Sequence, residues 1–414
     1  MIRNAKQWNR NRPQMLPVSL AVLFACSVLS ACGGSSGYNS TASTATPPPP
    51  PPNTIGALQN NVKLASTVAP NGDQNPYFIA TPPASFTGVN ATSGVKTVLQ
   101  PGDLLISDFS SVSGANNGTS IMRYTPGTGA MSLFYQEKIG TGPVGGAISG
   151  LGTLWIANFQ PGYSNTDGAT TGDGNVVVVS PNGTDFPNGA GIIDNNSGVS
   201  FSPNSDGLAG PWGQQLAVKA GTTTPYFFVT NVNAGKGYIQ RQAFTAGKFN
   251  VEAVTTIGLL PTGTNAFDPT GPQGMAYDAT NDILYVANAA NNQIVAFTNA
   301  TTATAISSGT VVFQGAPLNA PIGLAINPIN GDLITVNQLD NNMVEISSGL
   351  TGTSGSATPG AGAVVGVKLL DSTPVNTTAA TGSALFGLLA TKDSNGNLNV
   401  YYSNSNANSL NVLK

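Results

Sequence analysis

The sequence predicts an all-β fold: a six-bladed β-propeller whose last blade is closed by an N-terminal strand. Three observations carry this. A three-part pattern of short apolar runs recurs six times between Pro76 and Lys414, and strand-built repeats of this length form radial blades. No long stretch shows the apolar spacing of an amphipathic helix. The last copy stops at Lys414, right after its third run. A three-stranded blade there would leave an open edge, which proteins avoid.

The clearest copy opens with Gly271-Pro272-Gln273-Gly274. It continues through Ile283-Leu284-Tyr285-Val286-Ala287-Asn288 and ends in Gln293-Ile294-Val295-Ala296-Phe297. Each run is a strand pattern and each gap holds turn residues. The next copy has Pro321-Ile322-Gly323, Leu333-Ile334-Thr335-Val336-Asn337 and Met343-Val344-Glu345-Ile346. Two earlier copies pair Pro143-Val144-Gly145 with Leu154-Trp155-Ile156-Ala157-Asn158, and Pro211-Trp212-Gly213 with Tyr226-Phe227-Phe228-Val229-Thr230-Asn231. The first and last are worn. They read Pro76-Tyr77-Phe78 with Leu104-Leu105-Ile106-Ser107-Asp108, and Leu385-Phe386-Gly387 with Val400-Tyr401-Tyr402-Ser403-Asn404. Spacings run from 49 residues (Pro272 to Pro321) to 68 (Pro143 to Pro211). Copies one to five carry a fourth run, such as 131–135 and 364–370. Residues 61–68 precede the first copy, with Val62, Leu64 and Val68 apolar and Lys63 pointing the other way. They are predicted to form the outer strand beside 410–413. The pattern resembles NHL and YVTN-type propeller repeats from roughly Pro76 to Lys414.

The chain starts differently. Arg3, Lys6, Arg10 and Arg12 precede an apolar run from Val18 to Leu29, the layout of a secretory signal. The run is short for a membrane span. Leu29-Ser30-Ala31-Cys32 resembles the bacterial lipobox. That resemblance implies cleavage before Cys32, diacylglycerol on its sulfur and acylation of the new amino terminus. Two or more acyl chains anchor stably. Gly33 in place of Asp after the cysteine resembles outer-membrane sorting in Gram-negative bacteria. The expected organisation is a signal peptide over 1–31, a Gly/Ser/Pro-rich tether over 32–53 and a propeller over 54–414. The six prolines from Pro47 to Pro52 form a stiff spacer of about 19 Å. The expected location is the cell envelope, at the outer membrane, facing the periplasm or the cell surface.

Composition removes several functions. There is no histidine, hence no Ser–His or Cys–His catalytic pair and no imidazole metal ligand. Cys26 lies in the signal and Cys32 at the anchor, so the mature chain has no disulfide. Four of the 15 basic residues precede Cys32 and all 18 acidic ones follow it, which leaves the mature chain at −7. That disfavours nucleic acid as a partner.

Two sets of residues are candidates for a site. A polar residue closes the second strand of every copy: Asp108, Asn158, Asn231, Asn288, Asn337 and Asn404. Such residues cap turns, and a ring of them could also hold a metal or sugar. The middle residues of the Pro-x-Gly pieces are Tyr77, Val144, Trp212, Gln273, Ile322 and Phe386. On innermost strands they crowd the channel mouth, where Tyr77, Trp212, Gln273 and Phe386 could grip a ligand or simply plug the channel. An insertion from Phe159 to Gly174 includes Asn165-Thr166-Asp167-Gly168. Its oxygens could bind calcium, but the spacing fits no EF-hand.

Similar propellers include calcium-dependent lactonases, which imply a metal-binding Glu on an inner strand. The only glutamates are Glu137, Glu252 and Glu345, expected on outer or third strands. Asp278 is expected in a hairpin turn. The expectation is therefore a non-catalytic lipoprotein presenting a face to a small ligand or envelope protein, with no obligatory cofactor. The alternative is a calcium-dependent hydrolase or lactonase acting at the channel.

Overall fold

The computed structural model describes residues 53–87, 99–112, 114, 117–137, 142–159, 174–184, 192–193, 208, 210–232, 237–244, 251–262, 271–376 and 381–414. The signal segment, Cys32, the tether up to Pro52 and residues 160–173 of the insertion lie outside the described residues.

Six antiparallel four-stranded sheets form the ring. After β1 (Asn61–Ser66), blade 1 comprises β2 (Gln74–Ala80), β3 (Leu104–Ser110), β4 (Ser120–Thr125) and β5 (Ala130–Gln136). Blade 2 has β6 (Pro143–Ile148), β7 (Leu154–Asn158), β8 (Asn175–Val179) and a two-residue β9 (Ile192–Ile193). Blade 3 has β10 (Pro211–Val218), β11 (Pro225–Asn231), β12 (Tyr238–Phe244) and β13 (Val251–Leu259). Blade 4 has β14 (Pro272–Asp278), β15 (Ile283–Asn288), β16 (Gln293–Thr298) and β17 (Thr310–Gln314). Blade 5 has β18 (Pro321–Ile326), β19 (Leu333–Asn337), β20 (Asn342–Ile346) and β21 (Val364–Leu369). Blade 6 has β22 (Leu385–Lys392), β23 (Leu398–Asn404) and β24 (Ser409–Leu413), and its outer strand is β1.

The closing strand pairs Asn61 with Leu413 and Ser66 with Ser409. Asn60 and Lys414 exchange backbone hydrogen bonds at 2.8 and 2.9 Å, and the Tyr402 hydroxyl donates to Asn61 Oδ1 at 2.6 Å. The apolar alternation expected along this strand is broken. The register shifts between Lys63 and Ala65, Val62 is exposed and Leu64 is half-buried. Such a bulge adds twist at an edge and blunts it against pairing with other chains.

Second strands are buried throughout in β3, β7, β15 and β19, which suits strands covered on both faces. The cores lie between blades. Ile283, Tyr285 and Ile294 of blade 4 pack on Leu324, Leu333 and Val344 of blade 5. Trp155 of blade 2 stacks on Phe227 of blade 3 with ring centres 4.4 Å apart.

Close contact between inner strands fixes the ring. Every inner strand slips register, five of them just after the first residue, as between Pro211 and Gln214 or Pro272 and Met275, and β2 after its third, Pro76. The slip brings the glycine of Pro-x-Gly against the next blade's backbone. A Cβ on Gly145 would lie 2.0 Å from the Trp212 carbonyl oxygen. On Gly213 it would lie 2.1 Å from that of Gln273, and on Gly387 1.9 Å from that of Tyr77. Gly274 and Gly323 stand in the same way against Ile322 and Phe386. Hydroxyls bridge two of these junctions. Thr230 Oγ1 accepts from Gly213 N and donates to Gln273 O, both at 2.8 Å. Ser403 Oγ accepts from Gly387 N at 2.7 Å and donates to Tyr77 O at 2.8 Å. Blade 1 has Phe78 instead of glycine, and its ring lies over Gly146 of blade 2.

Ahead of β1, residues 53–58 hook onto blade 5. Ile55 is fully buried between blades 5 and 6, and its N–H donates to Glu345 Oε2 at 2.7 Å. Asn327 Nδ2 donates to both Asn53 O, at 2.8 Å, and Glu345 Oε1, at 2.9 Å. Glu345 is thus a structural acceptor for the hook.

Substitution at these contacts has a measurable cost. Gly213→Ala and Gly387→Ala will each lower stability by about 2 kcal/mol or more in urea unfolding, whereas Gly127→Ala, which meets nothing within 4 Å, will stay within about 0.5 kcal/mol. Glu345→Gln sets an amide donor among N–H donors and is expected to cost about 1–3 kcal/mol, read as a lower urea midpoint with unchanged slope.

Candidate functional site

The inner strands β2, β6, β10, β14, β18 and β22 surround a cavity of about 410 Å³. That lies within the roughly 300–1,000 Å³ of small-molecule pockets. Their side chains turn alternately into the cores on either side: Met275 packs toward blade 3, Ala276 toward blade 5. Each inner strand is a sheet edge, so unpaired backbone N–H and C=O groups also face the channel. Among the described residues, the lining contains no Asp, Glu, Lys or Arg.

The Pro-x-Gly slip turns the middle residues toward the axis, where they meet. Tyr77, Val144, Trp212, Ile322 and Phe386 form one buried cluster with Phe109, Phe159 and Val232. Tyr77 stacks on Phe386 at 4.0 Å between ring centres, Phe109 lies 4.4 Å from Tyr77, and Phe159 meets Trp212 edge-on at 5.1 Å. Gln273 is fully buried. Three of the four ligand candidates, Tyr77, Trp212 and Phe386, are therefore brought together, but as the closed floor of the channel, while Gln273 holds the equivalent position at the start of β14. Burial pushes the Tyr77 hydroxyl above its ordinary range, which keeps that floor neutral. At the other end Thr81, Leu216, Tyr277, Ile326, Leu389 and Ala390 are half-buried, and the channel opens there. The Tyr277 hydroxyl donates to Asp282 Oδ1 at 2.9 Å.

The polar ring residues sit opposite the first residue of five inner strands, as Asn231 does with Pro211 and Asn288 with Pro272, and Asp108 sits opposite Pro76, the third residue of β2. Proline has no N–H to extend the ladder. The residue after each Asn does so instead, as Val232 N donates to Gly210 O at 3.0 Å and Ala289 N to Gly271 O at 2.9 Å. Several ring side chains serve turns. Asn288 Oδ1 accepts from Ala290 N at 3.2 Å, Asn404 Oδ1 from Ala407 N at 2.9 Å, and Asn337 Nδ2 donates to Pro317 O at 2.8 Å. Asn158 Nδ2 donates to Asn175 Oδ1 at 2.8 Å. Asp108 is fully buried. Asp278 Oδ1 accepts from Thr280 and Asn281 N–H groups at 2.9 and 3.1 Å, holding its hairpin turn.

A buried carboxyl group, that of Glu137, follows the outer strand of blade 1. Desolvation raises Glu137 to about 8, against a smaller lowering by Asn158. Glu252 lies on β13. Among the described residues, no group of three His, Cys, Asp or Glu residues is placed to hold a metal.

No family model matches the sequence, and no curated protein matches it. Solved structures match in shape. A glucose-dehydrogenase-type oxidoreductase of Thermus thermophilus is 14% identical, covers 86% of this chain and 99% of its own, and gives a TM-score of 0.49. A gluconolactonase of Xanthomonas campestris is 12% identical over 88% and 94%, at 0.46. A luciferin-regenerating enzyme is 11% identical over 85% and 94%, at 0.47. The likeness is one of architecture.

The raised Glu137 carboxyl sets a pH dependence. Between the ordinary glutamate range and about 8, the folded chain keeps a proton that the unfolded chain releases, so stability falls as pH rises. With chelator present, the melting temperature is expected to drop from about pH 5 to about pH 8.5, and Glu137→Gln to lessen that drop.

Proposed function

We propose that this chain is a lipid-anchored protein of the cell envelope whose propeller binds a neutral small ligand in its channel without catalysing a reaction on it. The observation that carries the reading is the uncharged channel wall. A charged substrate entering it would lose water without gaining a counter-charge. Acid–base and metal-assisted hydrolysis both need a titratable or ligating group at the reacting atoms. Glu345 is engaged by the hook, and of the six residues at the closed end only Gln273 offers an amide. Backbone groups along the wall and the aromatic floor suit a flat or slender molecule that carries hydrogen-bonding groups but no charge. The anchor is supported by Leu29-Ser30-Ala31-Cys32.

Matched neutral and anionic small molecules, followed by tryptophan fluorescence and equilibrium dialysis, test the reading. Neutral compounds are expected to bind. Trp212→Ala should weaken them at least about tenfold, and Trp212→Phe should keep both fold and binding. Cys32→Ser should release the protein from membranes. Binding of anions alone overturns the channel reading. Calcium-dependent lactone hydrolysis that is lost in Gln273→Leu replaces it with the hydrolase.

A further inference from the structure

Two acidic side chains are enclosed where the closing strand hands over to blade 1. Asp73, just before β2, is 3% exposed, and Asp108, near the end of β3, is 0% exposed. Their environments are opposite. Asp73 Oδ2 accepts from Asn71 Nδ2 at 2.8 Å, from the Thr119 N–H and hydroxyl at 2.8 and 3.0 Å, and from the Ser120 hydroxyl at 2.8 Å. Neither oxygen of Asp108 receives a well-formed hydrogen bond; the one donor near them is the Thr67 hydroxyl. Beside Asp108 stands Thr67, fully buried, whose Oγ1 is also without a partner. Thr67 is the first residue after β1, and its N–H donates to Asn408 O of blade 6 at 3.0 Å.

Three interior oxygens thus face one another next to a second carboxylate, and a single rotatable hydroxyl is the one donor among them. Buried polar atoms of a native protein are satisfied by protein, water or an ion. Burial, then the nearby Asp73 charge, pushes the Asp108 carboxyl up to about 9 against a smaller lowering by the Thr67 hydroxyl, the response of a carboxylate lacking a positive neighbour.

We propose that this buried oxygen cluster is a cation site in which Ca²⁺ is held by the Asp108 carboxylate and the Thr67 hydroxyl, with Asp73 supplying the second negative charge. The chemistry selects the ion. All donors are oxygen, which suits hard cations, and their arrangement is irregular. Ca²⁺ accepts six to eight oxygens in loose geometry and completes its shell with carbonyls and water, whereas Mg²⁺ demands a regular octahedron. The site lies at the junction of blades 6 and 1, off the channel axis, and does not rest on the proposed ligand. Bound there, the ion ties the end of β1 to the first blade and locks the ring.

The test is thermal unfolding of chelated protein with and without millimolar Ca²⁺, paired with Tb³⁺ luminescence. Ca²⁺ should raise the melting temperature by roughly 5 °C or more. Asp108→Asn should abolish the rise and the Tb³⁺ signal, Thr67→Val should reduce both, and Glu137→Gln should preserve them. Chelated Asp108→Asn should melt no lower than chelated wild type, which shows that it folds. If it does not fold, Thr67→Val decides. No shift at about 10 mM Ca²⁺, an undiminished shift in both Asp108→Asn and Thr67→Val, or a shift lost only in Gln273→Leu overturns the proposal, the last by placing the ion in the channel.

Discussion

The ring depends on how closely neighbouring inner strands approach. At five of six junctions a glycine lies where any side chain would collide with the next blade's carbonyl oxygen. None of these five glycines has a positive φ; space rather than backbone freedom requires them. The slip that permits this approach also breaks the ladder beside the glycine. Thr230 and Ser403 repair it by accepting the released N–H and passing a hydrogen bond to the next blade. One contact thus sets blade spacing, channel width and the direction of six axial side chains.

Much of this was legible in the residues and some was not. The Pro-x-Gly pieces and the closing Asn or Asp marked strands one and two, because proline and turn-capping side chains leave strong local signals. The closing strand was legible by counting, since copy six lacked a fourth run. Its bulge between Lys63 and Ala65 was not, because alternation says nothing about register slips. The axial residues were legible by position, but their convergence was not. Whether Tyr77 and Phe386 line a mouth or stack into a floor depends on geometry across the ring. Ser107-Asp108, Thr230-Asn231 and Ser403-Asn404 held an unused signal, the hydroxyl residue before the ring position. The hook at Ile55 had none, since a single apolar residue in a polar stretch fits any contact.

Charge and channel are kept apart in this ring. Buried charge-bearing groups among the described residues, such as Asp108 and Glu137 in blade 1 and Glu345 at the hook, are absent from the channel lining, which carries backbone edges and uncharged side chains. Of these buried groups, Glu345 fastens the hook to blade 5, and the channel is left electrically quiet.

The hook has a mechanical consequence. The chain enters at Asn53, held by Asn327 directly after β18, on the face where the channel opens. A pull on the preceding segment is borne first by the Asn53–Asn327 bond and then by Ile55 and its bond to Glu345. The closing strand is loaded only after that clasp yields, so tension is shunted away from the seam whose rupture would unroll the ring.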